Sequence, residues 1–219
     1  MLLEQPAELG FRQQPPVEGH SKKGQFDVLT QRGGVDLSRH TMPSFQSKVC
    51  AGHGFHTANA LPTAEGAVQI ALEELPVTLH GARALVLGYG RVGKLTAHRL
   101  AALGAQVTVA ARSYEALAWA EAYGHAAQQL SDLSGYLCGY DLVVNTVPRR
   151  VLTRELLEEL KEGCLVIDLA SKPGGVDFQS AAELGVRCVW ALSLPGKVAP
   201  VTVASALRDT IYNMLREYS

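Results

Sequence analysis

The chain has 219 residues, a length typical of one or two domains, and 47% of them are hydrophobic, as in ordinary globular proteins. Its formal net charge of −1 gives no overall attraction to nucleic acid, so no nucleic-acid partner is expected. No apolar run approaches the roughly 20 residues of a membrane span, and no secretory signal is visible. The four cysteines are widely spaced, as in reduced cytosolic proteins. A cytoplasmic protein without a membrane partner is therefore expected.

Residues 1–58 differ from the rest of the chain in their pattern of apolar and polar residues. They show no sustained helical or alternating apolar period, which predicts an irregular N-terminal arm. Several potential metal ligands lie in or beside this arm, namely His20, His40, Cys50, His53 and His56. Because their spacing matches no zinc motif, no metal site is expected.

Residues 59–219 are predicted to form one domain that begins with a linking helix over 63–75. Thr63 is its predicted N-cap and Pro76 ends it. Strands are then predicted at 84–87, 107–110, 126–127, 142–144, 165–167 and 188–190. Helices are predicted after the first of these strands and at 114–123, 153–160, 178–184 and 201–217. This alternation, with near-continuous apolar strands, predicts a doubly wound α/β fold with a parallel sheet.

A glycine-rich turn after the first strand is the most informative motif. Its residues are Gly88, Tyr89, Gly90, Arg91, Val92 and Gly93, and a helical pattern follows them. In a dinucleotide-binding turn the first glycine permits the bend, the second lets a pyrophosphate approach, and the third lets helix and strand pack closely. The helix N-terminus would attract the phosphates. The alternative is a plain tight turn, but the strand and helix around the motif favour a dinucleotide site.

The end of the second strand indicates which dinucleotide is bound. A carboxylate at this place would bind the ribose 2′-hydroxyl of NAD, whereas this sequence has Arg112 and Ser113. A guanidinium can pair with a 2′-phosphate, so NADP is favoured and NAD stays an alternative. The competing interpretation is a solvated arginine at the start of the next helix.

Polar residues also follow the later strands, where ligands bind in such sheets. After the fourth strand, Asn145 and Thr146 could contact ribose or nicotinamide and Pro148 bends the chain, unless this is only a polar turn. Ser171 and Lys172 follow the fifth strand, and Lys197 lies where the final helix is expected to open. These lysines could bind an anionic substrate, or Lys172, if it is buried, could act as a base. The alternative is that both lysines point into solvent.

At this point five segments resemble the family formed by the A subunit of dipicolinate synthase. They are NALPTAE at 59–65, GYGRVG at 88–93, VNTVP at 144–148, DLASKPGG at 168–175 and LPGKVAP at 194–200. The resemblance runs from about Asn59 to Ser219. It implies oxidation of dihydrodipicolinate, or of its hydroxylated tetrahydro precursor, to dipicolinate with a nicotinamide cofactor. It also implies a flavoprotein-like partner, the B subunit of dipicolinate synthase, and action in the mother cell of a sporulating bacterium.

The N-terminus departs from this family, whose members carry a folded α/β domain before the linking helix. Residues 1–58 do not resemble that domain, so a truncated or scrambled N-terminus is expected, with cofactor binding but poor turnover. Two other functions stay open. One is a non-catalytic nucleotide-binding domain, and the other is a different small-acid dehydrogenase of the shikimate or 2-hydroxyacid type. The sequence does not determine the oligomeric state, and a homo-oligomer stays open.

Overall fold

Six parallel strands form the centre of the protein. The structure, a computed structural model, describes residues 53–217, all of which belong to the compact unit Pro43–Ser219. The strands are β1 (Arg83–Leu87), β2 (Gln106–Ala111), β3 (Ala126–Gln129), β4 (Leu142–Asn145), β5 (Leu165–Asp168) and β6 (Arg187–Trp190). Their order across the sheet is β3-β2-β1-β4-β5-β6, and every neighbouring pair is parallel.

Helices connect the strands and cover both faces of the sheet. They are α1 (His53–Glu74), α2 (Arg91–Ala102), α3 (Tyr114–Ala122), α4 (Arg154–Glu158), α5 (Phe178–Glu183), α6 (Leu194–Val198) and α7 (Pro200–Glu217). The doubly wound α/β prediction is confirmed. Because β1 pairs with both β2 and β4, the chain changes winding direction there, which leaves a crevice at the carboxyl ends of β1 and β4.

The strands are apolar along their length because both faces of the sheet are buried. In β1, Ala84 and Val86 belong to one hydrophobic cluster, whereas Leu85 and Leu87 belong to the other. The first cluster also contains helical residues Ala71, Ala97 and Leu194. The second also contains helical residues Leu157 and Ala181. Two separate cores thus hold the sheet and fix the positions of its strand ends.

The linking helix begins ten residues before the predicted start at Thr63. Thr63 lies inside α1 and its hydroxyl donates a hydrogen bond to the Asn59 carbonyl at 2.7 Å, so its prediction as an N-cap is wrong. A threonine in a helix interior can bond in this way to the carbonyl four residues earlier. Pro62 is also accommodated inside α1. The predicted end is confirmed, because α1 stops at Glu74, two residues before Pro76.

The segment LPGKVAP forms a helix of its own instead of opening the final helix. Ser193 adopts a left-handed conformation with φ of 60°, and α6 follows it. Ala199 has φ of −140° and ψ of 63°, outside the helical region, and α7 starts at Pro200. A proline disfavours helical geometry in the residue before it, which explains the break. Lys197 therefore lies in the last turn of α6 and not at the N-terminus of the final helix.

Close packing of α1 against α6 depends on Gly66. A Cβ atom at this position would lie 2.9 Å from Cγ2 of Val198 and 3.1 Å from Cδ1 of Leu194. The glycine thus lets the two helices approach each other, which sets the position of α6 and of Lys197 beside the sheet.

Candidate cofactor-binding site

The three glycines after β1 have different surroundings. Gly88 has φ of +92°, and a Cβ atom there would lie 2.5 Å from Oγ1 of Thr146. A Cβ atom at Gly93 would lie 2.1 Å from the Gly88 carbonyl oxygen. At Gly90, which is exposed at the start of α2, a Cβ atom would meet nothing within 4 Å. Gly88 and Gly93 are needed by the turn itself, whereas Gly90 leaves open space beside the backbone.

A cleft of about 420 Å³ adjoins this open space, at the carboxyl ends of β1, β2 and β4. Its lining comprises Gly88, Tyr89, Gly90, Ala111, Arg112, Ser113, Ala116, Leu130 and Val147. The structure therefore brings the glycine turn and the Arg112–Ser113 pair together, as the sequence predicts. Arg91 and Val92 lie beside the cleft, in the first turn of α2.

Arg112 and Ser113 occupy the far wall of the cleft from β4. Both are exposed at the end of β2. Ser113 is the N-cap of α3, and its hydroxyl oxygen accepts a hydrogen bond from the Ala116 amide at 3.2 Å. Arg112 is exposed and lines the cleft, so its guanidinium can reach an anionic group there.

Tyr89 contributes its backbone to the turn, but its side chain belongs to the core. The residue is 7% exposed, and its ring packs edge-on against His125, with 6.3 Å between ring centroids. Nζ of Lys94 lies 5.6 Å from the ring centroid. Burial raises the pKa of Tyr89, with a smaller contribution from Tyr123. The phenol is thus an anchor for the turn.

Thr146 and Asn145 hold the cleft wall at the end of β4. The hydroxyl of Thr146 donates a hydrogen bond to the Leu87 carbonyl at 2.8 Å. Asn145 is fully buried, and its amide nitrogen donates to Oδ1 of Asp168 at 2.7 Å and to the Val147 carbonyl at 3.0 Å. Its amide oxygen accepts from the Val147 amide at 3.1 Å. Cofactor contact by these residues stays a prediction, and the observed bonds give both side chains an internal, positioning role.

Asp168 is a residue of this site that the sequence analysis did not single out. It is fully buried at the end of β5, where Oδ1 accepts from the Ala170 amide at 3.0 Å and Oδ2 from the Gly175 amide at 2.7 Å. A Cβ atom at Gly175 would lie 2.1 Å from Nδ2 of Asn145. A carboxylate that ends a wholly apolar strand and is followed by a glycine pair was the signal for this arrangement.

The residues predicted to bind substrate follow the carboxyl ends of their strands, at the same edge of the sheet as the cleft. Ser171, Lys172 and Lys197 are exposed, the first two in the loop after β5 and the third in α6. Pro148 is exposed after β4. The prediction that Lys197 lies where the final helix opens is wrong, because α7 begins at Pro200 and Lys197 lies in the last turn of α6.

Metal binding finds no support in the described part of the chain. Within residues 53–217, no group of three or more His, Cys, Asp or Glu side chains could hold a metal ion. His20, His40 and Cys50 lie outside the described residues, as do the side chains of His53 and His56. A search of the same described part found no helix with the length and apolarity needed to span a membrane.

The geometry is that of a doubly wound domain with a glycine-rich turn of the dinucleotide-binding type between β1 and α2. Residues 69–186 match the family model described as Shikimate / quinate 5-dehydrogenase, and the chain belongs to this family. The family and the fold indicate an oxidoreductase with a nicotinamide cofactor.

Individual relatives make the similarity more specific. The A subunit of dipicolinate synthase from Bacillus subtilis (strain 168) is 37% identical over 159 residues, which is 73% of this chain and 54% of the relative. The solved structure of the Bacillus halodurans A subunit has 40% identity and a TM-score of 0.72, over 74% of this chain and 55% of that chain. The solved Bacillus subtilis structure has 36% identity and a TM-score of 0.73, over the same shares.

The resemblance to the A subunit of dipicolinate synthase is thus confirmed. The chain spans about half the length of these relatives.

Proposed function

We propose that this domain binds NADP, in preference to NAD, across the carboxyl ends of β1 and β4. The observation that carries the proposal is the cleft that joins open space at Gly90 to the exposed side chain of Arg112. The backbone from Gly88 to Gly93 and the start of α2 would hold the pyrophosphate. Arg112 would pair with the 2′-phosphate, and Ser113 would offer its hydroxyl proton.

The proposed reaction is oxidation of dihydrodipicolinate, or of its hydroxylated tetrahydro precursor, to dipicolinate. The similarity to the A subunits of dipicolinate synthases supports this substrate class. A bound nicotinamide cofactor supplies the hydride acceptor. Lys172 and Lys197, both exposed beside the strand ends, would hold the substrate carboxylates, and Ser171 would donate a hydrogen bond. From dihydrodipicolinate the second hydrogen leaves as a proton, and the hydroxylated precursor must in addition lose one molecule of water. Lys172 could take up this proton only in place of holding a carboxylate, because a lysine that pairs with an anion is already protonated.

The wider assignment follows from the names of the relatives. The curated relative and the two solved structures are all the A subunit of dipicolinate synthase. A protein named as one subunit has at least one other, which supports the proposal that this protein binds the B subunit. Action in the cytoplasm of the mother cell during sporulation is proposed on the same basis. We expect the 219-residue chain to bind nucleotide and to turn substrate over slowly when it is assayed by itself.

A fluorescence titration with NADPH and NADH tests the cofactor proposal. We expect tighter binding of NADPH, and Arg112→Ala should remove that preference because the 2′-phosphate loses its guanidinium. Arg208→Ala is the matched control, since Arg208 is exposed on α7, distant in sequence from the cleft, and pairs with Asp209. Equal binding of NADPH and NADH by the wild type would refute the choice of NADP. Oxidation of dihydrodipicolinate, with and without the B subunit, then tests the substrate.

The family match supports a second candidate substrate. Residues 69–186 fit the Shikimate / quinate 5-dehydrogenase model, so shikimate and quinate belong in the same oxidation assay. Turnover of either acid, with none of dihydrodipicolinate, would replace the first proposal. Binding of nucleotide without any turnover in the presence of the B subunit would favour a non-catalytic nucleotide-binding domain.

A further inference from the structure

Asp168 carries a buried negative charge that the described residues leave without a cationic partner. Its side chain is fully buried, and no ion pair to it is found among residues 53–217. Both carboxylate oxygens accept hydrogen bonds, from Asn145 Nδ2 and from the amides of Ala170 and Gly175. In all three bonds the carboxylate is the acceptor. Buried charges in proteins are usually paired, so this one calls for a reason.

The position of Asp168 supplies that reason. It ends β5, directly beside Asn145 at the end of β4, and β4 borders the crevice next to β1. In a doubly wound sheet a dinucleotide crosses this crevice with one half on each side. The glycine turn and Arg112 lie toward β1 and β2, the side on which we place the phosphates and the 2′-phosphate. The nicotinamide half then lies toward β4 and β5, on the side of Asp168.

We propose that Asp168 is a specificity-determining residue whose buried charge makes the site prefer the positively charged, oxidised nicotinamide ring over an uncharged ring. This inference rests on the proposed cofactor site. Asp168 is fully buried, so it acts through its electrostatic field and not by contact. Screening by salt is weak in the protein interior, so the field reaches the ring more effectively than a surface charge would. An enzyme that oxidises its substrate needs this form of the cofactor to be loaded.

Asn145 holds this charge in place relative to the cleft. Its amide joins Oδ1 of Asp168 at 2.7 Å to the backbone of Val147, which lines the cleft. The loop after β5, which carries Lys172, is tied to the other side of the same carboxylate through the Gly175 amide at 2.7 Å. One buried carboxylate therefore connects the cofactor cleft to the proposed substrate loop.

The test compares two ligands that differ in ring charge. Wild-type protein is titrated with NADP⁺ and with its analogue in which benzamide replaces nicotinamide, a planar ring of the same shape without positive charge. We expect NADP⁺ to bind about three- to tenfold more tightly, as expected for a poorly screened charge beyond contact distance. Equal binding of the two would overturn the inference while leaving the proposed cofactor site intact. Binding of neither would overturn the proposed function as well.

Three variants assign the preference to Asp168. Asp168→Asn and Asp168→Ser remove the charge, and the ratio of the two dissociation constants should fall to within about twofold of unity. Asp177→Asn is the matched control, because it makes the same substitution at a partly exposed carboxylate that pairs with Arg150 at 3.4 Å. It should keep the ratio of the two dissociation constants. A folded neutral variant that retains the wild-type preference would overturn the inference. If neither neutral variant folds, the wild-type comparison decides.

Discussion

Gly90 and Gly93 lie three residues apart in one turn but have opposite steric surroundings. Gly93 is in van der Waals conflict with any side chain, because its Cβ would lie 2.1 Å from the Gly88 carbonyl oxygen. Gly90 has φ of −80° and no atom within 4 Å of a Cβ position. The chain alone therefore requires glycine at 93, whereas a ligand would require it at 90.

This contrast predicts that Gly90→Ala and Gly93→Ala separate binding from stability. Gly93→Ala should lower the free energy of unfolding by about 1–3 kcal/mol, because the backbone must shift. Gly90→Ala should leave it unchanged or slightly raised, since alanine restricts the unfolded chain. The same variant should weaken NADPH binding roughly tenfold or more, because the methyl group occupies the space for the pyrophosphate. Urea unfolding measures the stability of each variant, and NADPH titration measures its affinity for the nucleotide. Normal NADPH affinity in folded Gly90→Ala would contradict the proposed placement.

At the scale of the elements, the contact between α1 and α6 determines where Lys197 lies. Gly66 permits this contact, and α6 carries Lys197 in its last turn. Glu65, the neighbour of Gly66, also pairs with Arg99 of α2 at 3.3 Å. Helix α1 thus contacts both α6 and α2, the helix that follows the glycine turn.

Gly66→Val should destabilise the packing of α1 against α6. The side chain would overlap Val198 and Leu194, and we expect a loss of about 1–3 kcal/mol in the free energy of unfolding. Gln69→Val introduces the same residue at an exposed position of the same helix and should change stability by no more than about 0.5 kcal/mol. Urea denaturation of both variants makes the comparison. Equal stability of the two variants would mean that α6 moves without cost.

At the scale of the whole molecule, His125 links stability to pH. The residue is 7% exposed, and its Nε2 atom has no hydrogen-bond partner in the described part of the chain. Burial lowers the pKa of His125 below the usual 6.5, with a smaller contribution from His98. Between the lowered pKa of the folded protein and pH 6.5, the unfolded chain therefore binds a proton at this position that the folded protein largely does not bind.

The protein should consequently lose stability as the pH falls from 7 toward 5. The contribution of His125 has a limiting slope of about 1.4 kcal/mol per pH unit, the value for one proton bound only by the unfolded state. His125→Phe should flatten the dependence, whereas His80→Gln, at an exposed position, should not. Urea unfolding between pH 5 and about 8 measures the slopes. An unchanged slope in His125→Phe would show that other groups dominate the pH dependence.

Strand identity and the glycine turn could be predicted from the sequence because they depend on local signals. A parallel strand buried on both faces must be apolar throughout, as Leu142 to Val144 and Leu165 to Ile167 are. The turn at Gly88 and the cap at Ser113 likewise follow from residues close in sequence. The same local signals were misleading at Thr63, where a residue typical of an N-cap lies inside a helix.

What the sequence determined by itself is therefore the fold class, the order of the polar strand ends along the chain and the family. Only the tertiary structure decided that Asn145, Asp168 and Gly175 meet, and that α6 stands apart from α7. The physical reason is distance along the chain. Asn145 and Asp168 are 23 residues apart and come within hydrogen-bonding distance only when β4 and β5 pair in register. A buried carboxylate and its partners carry no periodic signal, so their arrangement emerges only from the assembled sheet.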